Sequence, residues 1–586
     1  MISLSLASSL HSALLPAMFA NTQLTHLNWV DGLILLLYFG MVLFIGFYVK
    51  GTTNTSEQFF LAGREMTAWI AGLSFVSANL GSLELMGWAG NTYQYGILAM
   101  HWYWIGAIPA MLFLGIVMMP FYYISKTHSV PGYLQLRFGE GARGLAALSF
   151  AFMTILMSGV NMYAMAVVMQ TVLGWNMTLS IWVGAATVAV YVMLGGLRSA
   201  IINEVLQFVL IWAGAALIPI LGLTEAGGWT NLKAQIIANT HSIGYVHMWS
   251  TLGHFKDNPM GINWVGIVFG LGAIISFGYW TTDFLVVQRV LSAHNLRAAK
   301  MAPIIGAAFK MAVPLIVIVP GLICLGLAQN GHPLFHLVGA DVAKGNPAMH
   351  TYDQVLPLML IRYCGPGLLG LGITALIAGF MSGMAGNVSA FSTVWTYDIY
   401  GAYMNKKASD QHYVLMGRIS TIVGMLVSIG TAYLVMNAAS IMDYVQALFS
   451  FFIAPLFGTV ILGMLWKRAT NWGGFLGLLA GTASSIGMWV YTTYGGPQAL
   501  ARIALSPDAQ PQAENMFRAL WSWLICVVVT VIVSLMTKPR PEAELNGLVY
   551  GATVIPHDGA TTLFQKPLFW AGVVSVVFII LQIIFW

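Results

Sequence analysis

Residues 78–84 read Ala78-Asn79-Leu80-Gly81-Ser82-Leu83-Glu84, and residues 276–283 read Ser276-Phe277-Gly278-Tyr279-Trp280-Thr281-Thr282-Asp283. Each is a short polar interruption, with a glycine and a carboxylate, inside an apolar stretch (67–91 and 262–285). In hydrocarbon every backbone N–H and C=O needs a partner within the protein. An interrupted helix is therefore tolerated only where protein covers it or where it lines a cavity. One such stretch alone is better explained by small residues that let helices pack closely. Two of them, five spans apart, favour a pair of broken helices, the arrangement in which transporters hold solute and ion near the bilayer midplane.

The composition agrees. Of 586 residues, 58% are hydrophobic and 7% charged, and the mean hydropathy is +0.79. Soluble domains carry about 25% charged residues. So few charges cannot cover a water-facing surface, which excludes a soluble multidomain enzyme, a disordered scaffold and a nucleic-acid binder. The net charge of +5 carries no partner information, because basic residues in membrane proteins mainly set orientation. The three cysteines, Cys324, Cys364 and Cys526, lie in or beside apolar runs without metal-ligand spacing and read as small hydrophobes. Fourteen apolar stretches are long enough to span a bilayer. They lie near 30–49, 67–91, 97–125, 143–172, 176–193, 200–222, 262–285, 300–328, 366–398, 413–436, 439–465, 472–494, 516–537 and 566–586. Residues 1–20 read as a short amphipathic extension in preference to a signal segment, because no Lys or Arg precedes their apolar part.

With the N-terminus outside, seventeen of the 24 basic residues fall on the inner side and six on the outer, the bias that the positive-inside rule expects. Both termini are then extracytoplasmic, in a multi-pass protein of the plasma (inner) membrane. The chain divides into an N-terminal extension (1–29), a first peripheral helix with an inner loop (30–66), a first five-helix repeat (67–222), an outer loop (223–261), a second repeat (262–465) and C-terminal peripheral helices (466–586). The expected fold is an all-α polytopic membrane protein whose core is two inverted five-helix repeats, LeuT-like in plan. No nucleotide-binding loop is present to drive a pump.

Polar groups at membrane depth are costly and mark function. Lys310, inside an apolar span, fits neither side of the charge count. It can hold a solute hydroxyl or carboxylate, or pair with a carboxylate. Glu84, just past the first break, can accept hydrogen bonds from a polyol, carry a proton, or pair with Lys310 or Arg198. Glu204, beside Asn203 near a helix end, reads equally as an ion-guiding carboxylate or as an ordinary end charge. His101 and Tyr103, with Trp102 and Trp104, open the third span where an interfacial aromatic belt is expected. Gln446 needs partners for both its donor and its acceptor. In the ninth span Gly379 to Gly386 is thin enough either for close packing or to show carbonyls and the Ser382 hydroxyl to a hard cation. Amides, hydroxyls, an amine, a carboxylate and aromatic rings together suit a polyhydroxylated solute.

At these residues the chain resembles the sodium–solute symporter family, and its sodium–glucose and sodium–galactose cotransporter branch in particular, from about Val30 into the fourteenth span. The resemblance is carried by Phe59-Phe60-Leu61-Ala62-Gly63-Arg64, by Ser77-Ala78-Asn79-Leu80-Gly81, and by Gly195-Gly196-Leu197-Arg198-Ser199-Ala200 with Glu204 and Gln207. It is also carried by Tyr279 to Asp283 with Gln288-Arg289, and by Thr396-Tyr397-Asp398-Ile399-Tyr400. It implies that Lys310, Gln446 and Asn79 contact sugar, that Tyr279 closes the inner side of the sugar site, and that Glu84 and His101 lie near the sugar. Tyr103 stands where the branch places a sugar-binding Glu, and Ser276 where it places an amide. The resemblance further implies a sodium site built from the backbone carbonyls of Ser77, Leu80 and Gly379 plus two adjacent hydroxyls. Here that hydroxyl pair reads Ser382-Gly383, so one side-chain ligand is missing. Ala385-Gly386 cannot form a second such site.

The expected function is sodium-coupled uptake of a monosaccharide-like solute by alternating access, with sodium as the coupling ion and no other cofactor. The partners are the lipid bilayer, the solute and the ion. No nucleic acid and no obligate protein partner is inferred. Alternatives are an organic acid or amino acid as solute, proton coupling or uncoupled transport, and a solute-gated sensor or channel. A membrane enzyme is disfavoured because HExxH and GxSxG patterns are absent.

Overall fold

The computed structural model describes residues 27–52, 54–81, 83–328, 352–436, 441–557, 559 and 561–586. The N-terminal stretch 1–20 lies outside the described residues. The described chain is helical. Among the described residues, ten helices are long and apolar enough to cross a membrane, or twelve when each of two bent pairs counts as one span. The bent pairs are the two interruptions of the sequence. Ala68–Asn79 joins Leu83–Trp102 at 59°, and Gly266–Thr282 joins Phe284–Leu291 at 50°.

Both breaks have local causes. Leu80 leaves helical geometry (φ −75°, ψ 45°), and the Gly81 N–H turns back to the Asn79 carbonyl at 2.8 Å. At the second break Asp283 is extended (φ −68°, ψ 114°) and its carboxylate caps the next half-helix by accepting from the Leu285 N–H. An aspartate N-cap satisfies one of the four donors that a helix start leaves open.

The count of fourteen differs from the observed ten to twelve for two reasons. The stretches 176–193 and 200–222 run together as Met177–Glu225, with a kink at Gly196 (φ 53°, ψ −147°). A Cβ there would lie 2.4 Å from the Phe59 carbonyl oxygen, so only glycine fits. The stretch 97–125 contributes only the shorter apolar helix Ile108–Ile124, because Gly96–Trp102 is wound as tight 3-10 turns.

Leu368–Met404 is the most central helix, 89% buried over its most apolar window, against 17% for Pro567–Ile584. Peripheral helices present Leu36, Phe44, Val576 and Ile583 outward, as lipid contact requires. Asp31 in Trp29–Val49 accepts from the Gly367 and Gly370 N–H groups at 2.7 Å each. A carboxylate at a helix N-terminus is electrostatically favoured, and here it fixes the start of the central helix. The first broken helix packs closely on Leu296–Lys310. A Cβ on Gly72 would lie 2.8 Å from the Ala302 carbonyl oxygen, and one on Gly306 2.9 Å from the Phe75 ring. That proximity carries Lys310 to the level of Asn79.

Candidate functional site

Lys310 is the last residue of its helix. Pro314 opens the next one and cannot continue the ladder behind it. The helix therefore ends in a loose turn at 311–313, with the amine at its C-terminal end, where a cation is favoured. Gln446 lies in Ile441–Leu448, one turn before a π-type bulge at Phe449–Ile453 that precedes Pro455. Glu84 sits in the first turn after the break. Three interrupted helices thus bring their polar residues to one level.

They meet around a cavity of about 40 Å³ lined by Asn79, Glu84, Tyr103, Ser276, Tyr279, Lys310 and Gln446, with Trp88, Trp102, Trp280 and Phe449 among the aromatic walls. The Lys310 Nζ is 3.1 Å from a Glu84 carboxylate oxygen and donates to the Asn79 Oδ1. It also lies 4.5 Å from the Tyr103 ring centroid and 5.3 Å from that of Trp280. The Tyr103 hydroxyl donates to Glu84. The Asn79 Nδ2 donates to the Tyr279 hydroxyl at 2.8 Å, and the Tyr279 ring packs on Phe449 at 5.1 Å. Both readings of Lys310 therefore meet in one place: it does pair with a carboxylate, and the pair faces the cavity. Three buried lining atoms, Ser276 Oγ, Gln446 Oε1 and Trp102 Nε1, have no hydrogen-bond partner among the described residues. Buried polar atoms of this kind are costly unless something else satisfies them.

Seven of the eight expected solute residues line this cavity. His101 does not. Its Nε2 lies 2.7 Å from the Met248 carbonyl oxygen and its ring packs on Trp249 at 4.7 Å. Nor do residues 101–104 form an interfacial belt. All four are buried, and Trp102 and Tyr103 pack against Trp88 at ring-centroid distances of 5.0 and 5.7 Å, tilted and edge-on. The tight turns of Gly96–Trp102 fold these rings inward, which a continuous helix through 97–125 would not do. Trp88, Trp102, Trp280 and Phe449 were not singled out as lining residues by sequence reasoning. An aromatic next to a helix break is their only sequence signal.

Glu204 also differs from expectation. It is fully buried, not interfacial. It pairs with the Arg289 guanidinium at 2.5 Å and accepts from the Ser74 hydroxyl. Arg289, counted among the inner basic residues, is itself fully buried in the second broken helix. The pair therefore ties both broken helices to Met177–Ala215.

The expected sodium donors converge as well. The Ser382 hydroxyl donates to the Ser77 carbonyl at 3.0 Å and lies 3.5 Å from the Ser77 hydroxyl. A Cβ on Gly379 would lie 2.7 Å from the Leu80 carbonyl oxygen, so that glycine faces the break directly. Gly383 follows on the same helix. Carbonyl and hydroxyl oxygens of this kind suit a hard cation. Among the described residues there is no cluster of His, Cys, Asp and Glu fit to hold a transition metal.

The chain is 28% identical over 573 residues to sodium/glucose cotransporter 4 of Homo sapiens, covering 92% of this chain and 82% of that protein. It is 28% identical over 542 residues to sodium/glucose cotransporter 1 of Oryctolagus cuniculus (89% and 81%). It is likewise 28% identical over 550 residues to the sodium/myo-inositol cotransporter of Homo sapiens (89% and 75%). Among solved structures its fold is similar to that of a Na+-coupled sialic acid symporter in a substrate-bound outward-open state. The TM-score is 0.71 at 19% identity, covering 88% of this chain and 99% of that one. The sequence profile of the sodium:solute symporter family matches residues 59–481, most of the chain and both broken helices. A transport protein with sodium as its coupling ion follows: the chain belongs to the sodium:solute symporter family.

Proposed function

We propose that this symporter carries a neutral polyhydroxylated solute, a monosaccharide or cyclitol, and that the cavity around Lys310 is its binding site. The observation that carries this reading is the charge balance of the cavity together with its orphaned atoms. Glu84 neutralises Lys310, so no net positive charge is left for an organic anion. Ser276 Oγ, Gln446 Oε1 and Trp102 Nε1 offer donors and acceptors at separate points. That is what several hydroxyls on one small ring require, while the surrounding rings can stack on its C–H faces. The similar proteins named for glucose and myo-inositol transport both act on neutral polyols. At about 40 Å³ the cavity has room for ordered water, far less than the roughly 300–1,000 Å³ of sites shaped around drug-sized ligands. Solute entry thus exchanges the internal contacts of Asn79, Glu84, Tyr103 and Tyr279 for contacts with solute hydroxyls.

The wider architecture follows the same reading. Counting the two segments on either side of Gly196 separately, and Ile108–Ile124 as a span, restores fourteen crossings. The broken helices then open two inverted repeats, and their rocking alternates access. With the basic residues facing the cytoplasm, Arg289–Glu204 and Tyr279 lie on the inner side of the solute and both termini are outside. The test is uptake by proteoliposomes from a panel of labelled hexoses, inositol, a carboxylic acid and an amino acid, with and without an inward sodium gradient. Sodium-driven accumulation of a neutral polyol is expected. Preference for the acid or amino acid would overturn the assignment.

Tyr279 provides a second check. Replacing it by Phe keeps the ring on Phe449 and removes the acceptor of the Asn79 amide. The hydroxyl is also lost as a partner for the solute, and a net hydrogen bond is worth about 0.5–1.5 kcal/mol, so affinity should fall roughly two- to tenfold while accumulation at saturating solute persists. Replacing it by Ala removes the barrier itself, and preloaded solute should leak out without sodium. Efflux from preloaded proteoliposomes separates the two; equal leak from both variants would contradict a ring gate.

A further inference from the structure

We propose that Asn161 supplies a side-chain oxygen to the coupling sodium ion, in place of the hydroxyl that Gly383 lacks. The inference rests on the sodium site expected at Ser77, Leu80, Gly379 and Ser382, and adds a donor from a third helix. Asn161 lies in the middle of Glu140–Leu173 and is buried. Its Nδ2 donates to the Met157 carbonyl at 3.0 Å, which fixes the orientation of the amide and sends Oδ1 the other way. That oxygen is wedged between two glycines. A Cβ built on Gly81, in the break, would lie 2.6 Å from it, and a Cβ on Gly383 would lie 2.4 Å from it. The Gly81 Cβ would also lie 3.4 Å from the Gly383 Cα, so the break, the central helix and Asn161 meet at one point.

The two features explain each other. A serine at 383 would bring a hydroxyl beside Ser382, but its Cβ would collide with Asn161 Oδ1. With glycine there, the amide oxygen enters from a third helix and fills the space that the side chain would take. An amide carbonyl is a hard, strongly dipolar donor suited to a small cation. The donors are then neutral oxygens from three helices. Bound sodium would hold the first broken helix against both Leu368–Val394 and Glu140–Leu173.

The experiment measures sodium binding apart from transport. Purified protein in detergent is titrated with NaCl at constant ionic strength against choline chloride. The readouts are intrinsic tryptophan fluorescence and thermal stability, which rises with any ion that binds the folded state. Asn161→Ala should weaken sodium binding about tenfold. Gly383→Ser alone should also weaken binding, because it displaces Asn161. The double variant Asn161→Ala with Gly383→Ser should recover most of the loss, which a purely structural brace at Asn161 would not produce. Ser382→Ala serves as the reference. If Ser382→Ala weakens binding and Asn161→Ala does not, the proposal fails and the sodium site stands. If neither variant changes it, the sodium site itself is misplaced and the proposal falls with it.

Discussion

Lys310→Ala is expected to reduce solute uptake at least a hundredfold while sodium still binds. Removing the amine deletes a charge-assisted contact worth about 1.5–3 kcal/mol. It also releases Asn79, whose oxygen the amine holds, and leaves Glu84 buried with the Tyr103 hydroxyl as its remaining hydrogen-bond partner in the cavity. A buried charge stripped of its counter-ion costs about 3–5 kcal/mol, so the single variant will lose stability as well as affinity. The double variant Lys310→Met with Glu84→Gln separates the two effects. It removes both charges together and should restore folding, insertion and sodium binding without restoring uptake. The checks are membrane expression, thermal unfolding, sodium titration and labelled-solute uptake on the same preparations. Parental uptake in the double variant would show that the pair only holds helices together and that solute binds elsewhere.

Much of the fold is legible in the sequence because the bilayer enforces simple rules. Apolar length, the scarcity of charge and the side bias of Lys and Arg each act locally along the chain. The breaks at Asn79–Leu83 and at Asp283 were visible for the same reason. A glycine with polar neighbours in an apolar run has few other uses when it occurs twice at matching positions. What misled was continuity. The run 97–125 carries no Asp, Glu, Lys or Arg, yet its first part winds into tight turns from Gly96 (φ 66°). The run across Gly196 is one helix by hydrogen bonding and two by direction. Apolar composition constrains where a segment lies, and does not distinguish a straight helix from a turned one.

The site was legible where one residue breaks a local rule and hidden where the rule concerns two distant residues. Lys310 in an apolar span announces itself. That Glu84 meets it was one of two pairings the sequence allowed, and Arg198 instead reaches Glu65 at 3.3 Å. Glu204 read equally as an ion-guiding carboxylate or a helix-end charge, because Arg289 lies on another helix. Gly383 read as a missing ligand because nothing in the chain connects it to Asn161. In each case the sequence held the chemical group, and the packing of a third helix decided its partner.

Breaking the Glu204–Arg289 pair on one side should be strongly destabilising, and the pair separates a structural role from an ionic one. Both side chains are fully excluded from water. Arg289 additionally donates to the Leu285 carbonyl at 2.8 Å and to the Gln288 side chain at 3.2 Å, while Glu204 accepts from Ser74, so the network is satisfied on both sides. Glu204→Ala leaves a guanidinium buried without its counter-charge and should destabilise the protein by about 3–5 kcal/mol, read as an earlier thermal unfolding transition in detergent. Glu204→Leu with Arg289→Met removes both charges at similar volume and should recover most of that loss, since replacing a buried pair by well-packed apolar residues is often neutral. The double variant then decides the second question. If it accumulates solute on a sodium gradient, Glu204 is a clasp between the broken helices and Met177–Ala215. If it folds and binds sodium but no longer couples, the carboxylate lies on the ion's route. The clasp is the expected outcome, because an oxygen pair already engaged by Arg289 and Ser74 has little capacity left to coordinate a passing cation. A single variant as stable as the parent would contradict it.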